Sequence, residues 1–211
     1  MPALSLPYLL EAALMVVVLL FSVIVHEVAH GYVALLNGDP TARLMGRITL
    51  NPLPHIDPIG TILLPMILLL SRSGIIFGWA RPVPVNPLNY RNHRLGEITV
   101  AAAGPLSNLV LAAFFAYLFR LHLANPGLTY LAYYGCSINI FLALFNLIPI
   151  PPLDGSHLVT AVLPPELVRI YQYLEPVGFV LILILFYSGV MGLLLMPLYR
   201  QIALFLLSPG Q

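Results

Sequence analysis

Long apolar stretches alternate with short polar clusters along this chain, and their lengths predict helices that cross a membrane. The first block predicts a helix from about Pro7 to Leu36, stopped by Asn37-Gly38-Asp39-Pro40. Thr41 to Pro58 breaks the pattern with three prolines, and Arg47 to Leu50 reads as a short strand. Ile59 to Leu70 is apolar but short for a full span and interrupted by Pro65, while Gly74 to Val85 breaks up at Pro82, Pro84 and Pro87. Residues 98–119 and 128–150 can each cross a hydrocarbon core of about 30 Å, and Pro149, Pro151 and Pro152 end the second sharply. A short piece from Ser156 to Leu163 precedes a last predicted span at 177–199. The expected fold is therefore an all-α polytopic membrane bundle, one domain over 1–211. Its spans are 7–36, 98–119, 128–150 and 177–199, with a re-entrant hydrophobic hairpin at 59–85 and a short β element beside it.

Composition supports the lipid setting. The chain is 60% hydrophobic and 8% charged, against about 25% charged in a soluble domain. Its nine basic residues are all Arg and form no basic run, so nucleic-acid binding has no support. The single Cys136 excludes a disulfide within the chain and a Cys-rich metal site. The N-terminal apolar stretch lacks a basic n-region and is not expected to be a cleavable signal, since its removal would cut into the motif described next.

That motif is His26-Glu27-Val28-Ala29-His30, and it follows an apolar run from Ala12 to Val25 whose only polar side chain is Ser22. Residues i and i+4 share one helix face, so both imidazoles can reach one metal ion. Glu27 stands beside them as a base for a water molecule. With this composition a chance match is expected in roughly three chains per thousand, and ionisable groups at bilayer depth point to function. Catalytic zinc sites keep three protein ligands and an open position. Asp154, between Leu153 and Gly155, is the first candidate for the third ligand, and His157 is its rival. His55 and Asp57 could reach the site from the re-entrant loop, but a pair satisfying the loop beside Pro58 is the simpler reading. His93 and His122 lie near helix ends and receive no role.

For Asp154 to meet the histidines, the first helix and the 128–150 helix must end on the same side. Residues 37–97 must then leave and return on one face, which a re-entrant segment covered by protein allows. Arg43, Arg47, Arg81, Arg91 and Arg94 fall on that face and mark it as cytoplasmic.

Three ordered motifs resemble the site-2 protease family of intramembrane zinc metalloproteases. They are His26-Glu27-Val28-Ala29-His30-Gly31, Ala103-Gly104-Pro105-Leu106-Ser107-Asn108, and the run from Asn146 through Leu153-Asp154-Gly155. The resemblance implies that His26, His30 and Asp154 bind one zinc ion and that Glu27 is the catalytic acid/base. It also implies that Asn146 stabilises the reacting carbonyl, and that the substrate is a transmembrane protein cleaved from within the bilayer of the cell (plasma) membrane. Asn108 is open between site residue and interhelical hydrogen-bond partner, and Gly104 and Ser107 are expected to let helices approach closely. Arg47 to Asn51 is the expected edge for holding an unwound substrate strand. The competing class is a non-proteolytic metal carrier, which needs ligands near the midplane reachable from both faces. Here the ligands cluster toward one face, and carriage gives Glu27 no task.

Overall fold

Asparagine side chains set where two of the long helices begin in the computed structural model, which describes residues 6–63, 66–67, 80–121 and 125–208. Asn92 accepts a hydrogen bond from the Leu95 N–H at the start of α3 (His93–Arg120), and Asn125 accepts from Gly127 and Leu128 at the start of α4 (Pro126–Asn146). These caps satisfy amides that a helix start leaves without partners. Ahead of them, α1 (Leu6–Leu36) and a short α2 (Thr41–Leu44) carry the N-terminal third. Behind them come α5 (Asp154–Thr160), α6 (Pro165–Gln172), α7 (Glu175–Tyr187) and α8 (Val190–Leu207). Among the described residues there is no strand. Four helices are long and apolar enough to cross a membrane, or five if the pair α6–α7, bent by 65°, makes one span.

Small residues bring α1, α3 and α4 together. Ala112, Ala116, Cys136 and Ile140 are buried against Val18 and Phe115, and a Cβ at Gly135 would stand 2.6 Å from the Phe115 ring. Close backbone approach of this kind drives helix association where lipid supplies no hydrophobic force. A second cluster of Leu153, Ile182, Met191 and Leu195 fastens the loop after α4 to α7 and α8. Gly178 serves the same contact, because a Cβ there would run into the Pro151 carbonyl.

Three expectations change. The span expected at 177–199 is two helices, because Gly189 takes a left-handed conformation at φ 79° and breaks the helix between Tyr187 and Val190. The Tyr-Ser-Gly turn signal outweighs the continuous apolar run around it. The strand expected near Arg47 is a series of bends, and its backbone finds partners elsewhere than in a ladder. The Arg47 N–H donates to the Ala42 carbonyl, and the Thr49 carbonyl accepts from His55 Nε2. An isolated strand without neighbours is not stable. The re-entrant hairpin expected over 59–85 lies largely outside the described residues. Its described ends are a π-helical turn at Pro58–Leu63 and an irregular stretch over 80–86.

The ends of α1 and α3 touch. The Arg91 N–H donates to the Asn37 carbonyl at 2.9 Å. Asp39 accepts from the Asn86 N–H at 2.6 Å and from the Asn89 side chain at 2.8 Å. The chain between them therefore leaves and returns at one end of the bundle.

Candidate metal centre

The helical period puts His26 and His30 on the face of α1 that packs against α3, and each ring is fixed by its Nδ1. His30 Nδ1–H donates to the Val100 carbonyl at 2.7 Å, and His26 Nδ1–H donates to Asn108 Oδ1 at 2.7 Å. A carbonyl only accepts, so His30 carries its proton on Nδ1 and turns the lone pair of Nε2 inward. The same holds for His26, because the Asn108 amide nitrogen is taken up in donating to Asn139. Such partners fix ring orientation and tautomer in metal sites.

Asp154 completes the group. Leu153 is the extended residue before α5, so Asp154 opens the first turn of that helix. Gly155 is needed for space rather than for its backbone freedom: a Cβ there would overlap the Leu147 and Ile148 carbonyls at the end of α4. That close approach pushes Asp154 toward α1. Its Oδ2 lies 3.1 Å from His26 Nε2 and 3.3 Å from His30 Nε2. The two Nε2 atoms are 3.0 Å apart. Oδ2 is buried and receives no hydrogen bond. Three lone pairs facing one another would repel, and the edges fit the spacing of about 3.3 Å that tetrahedral donors keep at bond lengths of 2.0–2.1 Å. The donor set and its geometry fit zinc, and His26, His30 and Asp154 form the cluster of metal-ligand type found among the described residues.

Gly104 supplies the room. A Cβ at that position would stand 2.5 Å from Cε1 and Nε2 of His26 and closer still to His30 Nε2. The glycine expected to bring helices together thus does so against the imidazoles themselves. Glu27 lies within electrostatic range of His30, and its Oε2 accepts from the Val83 N–H at 2.7 Å. The irregular stretch that offers this amide is clamped by Arg47, whose Nη2 donates to the carbonyls of Arg81 and Pro82 at 2.7 and 3.1 Å. Burial, and then the charge of Arg81, hold the Arg47 guanidinium below its ordinary value.

Other candidates find local tasks. Asn146 donates to the Leu142 carbonyl one turn back, at 2.9 Å. His55 is fully buried and donates to Thr49, and Asp57 accepts from the Ile59 and Gly60 amides. His157 is exposed on α5. His93 pairs with Glu97 at 3.6 Å on the surface, and His122 lies outside the described residues. Asn108 sits between α1 and α4, fully buried. Its partner Asn139 was not singled out by sequence reasoning, and its only signal was an amide midway along the apolar run of α4.

Comparison with known proteins now bears on this geometry. The sequence profile of peptidase family M50 matches residues 121–185. YwhC of Bacillus subtilis, provisionally named a zinc metalloprotease, is 38% identical over 93% of this chain and 88% of its own length. The chain belongs to peptidase family M50, the site-2 protease family. Rip2 of Mycolicibacterium smegmatis, with the same provisional activity in its name, is 30% identical over 79% of this chain and 63% of its own length. A further relative from Methanocaldococcus jannaschii, with the same provisional activity in its name, is 42% identical over 40% of this chain and 46% of its own length. No solved structure matches this chain. Family membership and the apolar helices make this a multi-pass membrane protein and a zinc metalloprotease.

Proposed function

We propose that the protein is an intramembrane endopeptidase that hydrolyses peptide bonds in or near transmembrane segments of other membrane proteins. His26, His30 and Asp154 hold one zinc ion, and Glu27 is the acid/base. The observation that carries this reading is the convergence of those three donors six to ten residues before the end of α1. At 1.5 Å per residue that is roughly 9 to 15 Å below the helix end. Bound zinc supplies Lewis acidity and a water molecule whose pKa is about 7.

The protein's own groups do the rest. Glu27 takes a proton from the attacking water and passes it to the leaving amine, while the Val83 N–H holds its Oε2 in one orientation. Asn146 Nδ2 gives one hydrogen to the Leu142 carbonyl and keeps a second, which can serve the developing oxyanion without breaking that bond. Such a donor is typically worth about 100- to 1,000-fold in rate. The transmembrane substrate must unwind before attack, because a helix hides its amides in internal hydrogen bonds. Arg43, Arg81, Arg91 and Arg94 are exposed at the end where α1 meets α3, and this positive charge supports the reading of that end as cytoplasmic. Arg47, turned inward, does not add to this signal. Glu27→Gln tests the assignment: it keeps zinc but stops cleavage of a reporter peptide, and cleavage near the parent rate contradicts it.

A further inference from the structure

Behind His26 runs a chain of polar side chains that the cleavage mechanism does not use. His26 Nδ1–H donates to Asn108 Oδ1 at 2.7 Å. Asn108 Nδ2 donates to Asn139 Oδ1 at 2.9 Å and to the Ser22 carbonyl at 3.4 Å. Asn139 Nδ2 donates to Ser22 Oγ and to the Gly135 carbonyl, each at 2.8 Å, and Ser22 Oγ–H donates to the Val18 carbonyl at 2.8 Å. Ser22, Asn108 and Asn139 are fully buried, and His26 is 6% exposed.

The direction of this chain is fixed. The carbonyls of Gly135 and Ser22 can only accept, so Asn139 and Asn108 must present nitrogen to them, and the Val18 carbonyl takes the Ser22 hydroxyl hydrogen in the same way. That leaves Asn139 Oδ1 facing Asn108 and Asn108 Oδ1 facing His26. Both hydrogens of each amide are used. A buried polar group without a partner is destabilising, and here every amide hydrogen has its acceptor. Simple interhelical contacts of this type impose no direction on a third group. This chain ends on a ring nitrogen and dictates which tautomer His26 adopts.

We propose that Ser22, Asn139 and Asn108 form a positioning relay that holds His26 in its Nδ1–H tautomer with Nε2 aimed at the metal. Through it, packing of α4 against α1 and α3 sets zinc affinity, although none of the three residues touches the metal. The inference rests on the reading of His26 as a zinc ligand.

The test uses the full chain in detergent and two readouts besides cleavage: zinc affinity by competition with a chromogenic chelator, and the visible spectrum after cobalt substitution. Thermal unfolding is followed in parallel. Asn108→Leu removes the acceptor and is expected to weaken zinc about 10- to 100-fold and to shift the cobalt bands. Asn108→Asp keeps an oxygen for Nδ1–H but loses both donors, so it should unfold at a lower temperature while binding zinc close to the parent affinity. Asn139→Leu and Ser22→Ala should weaken zinc by smaller amounts, and they carry the test if Asn108→Leu does not fold. Loss of thermal stability with unchanged zinc affinity and cobalt bands in these variants overturns the relay, as does equal weakening in Asn108→Asp and Asn108→Leu. His26→Ala separates the two layers. If it binds zinc as the parent does, the ligand assignment itself is wrong; if it loses zinc while the relay variants keep it, only the relay is wrong.

Discussion

Replacing Gly104 by alanine should damage the metal site without removing any ligand. The added Cβ would stand 2.5 Å from two atoms of the His26 ring, against ordinary contact at about 3.4 Å, an overlap of roughly 0.9 Å. The rings cannot turn aside freely, since each Nδ1–H is held by a 2.7 Å hydrogen bond to α3. Either α3 moves away from α1 and lengthens those bonds, or the imidazoles swing and lose their aim. Overpacking of this kind costs about 1–3 kcal/mol, and disturbing the partners that orient a ligand typically weakens metal binding about 10- to 100-fold. Gly192→Ala is the control, because a Cβ there meets nothing within 4 Å. The assay is zinc retained by detergent-purified protein against a graded chelator series. Gly104→Ala should release zinc at about 10- to 100-fold lower chelator strength, and Gly192→Ala should match the parent. Equal retention in Gly104→Ala and the parent would refute the placement of α3 against the histidine pair.

Three further outcomes are expected. Single substitutions of His26, His30 or Asp154 by alanine should each abolish stoichiometric zinc by metal analysis, and full occupancy in any one removes that residue from the ligand set. On a Cys136→Ser background, cysteines at the exposed positions Leu44, Leu88 and His157 should label from one side of the membrane and cysteines at Leu121 and Leu128 from the other; labelling of Leu44 and Leu88 from opposite sides would contradict the shared end of α1 and α3. Burial pushes the Asp39 carboxyl up, but hydrogen bonds from Asn89, Thr41 and the Asn86 amide outweigh it and hold the group below its usual range. Its stabilisation is therefore complete above the ordinary carboxylate value of about 4 and fades as pH falls below it, so the melting temperature should drop more steeply on acidification in the parent than in Asp39→Asn, and parallel curves would show that these bonds do not matter.

The parts of the site that sequence could show were those written in local spacing. His26 and His30 are one helical turn apart, and any helix brings them together. The meeting with Asp154 depended on a parity argument about residues 37–97, and the contact of Asn37 with Arg91 supplies the shared end that this argument needed. The relay behind His26 was not legible, because Ser22, Asn108 and Asn139 come from three helices and no spacing links them. Gly155 was visible as a neighbour of Asp154, but its use for the approach of α5 to the end of α4 depends on contacts that no local spacing encodes. At Gly189 the polar-apolar pattern misled: a continuous apolar run hides a break that one positive φ creates. The amide that meets Glu27 comes from Val83, and a backbone donor in an irregular stretch leaves no side-chain pattern to read.

The central claim is that zinc held by His26, His30 and Asp154 lets Glu27 drive peptide hydrolysis within a membrane segment. Its most direct test is incubation of the purified protein in detergent with a reporter carrying one transmembrane helix, with cut sites mapped by mass spectrometry. Cleavage inside the helix that stops with a zinc chelator, returns when zinc is restored, and is absent in Glu27→Gln is the predicted result. Cleavage that survives chelation, or that falls only in the soluble flanks of the reporter, would contradict it.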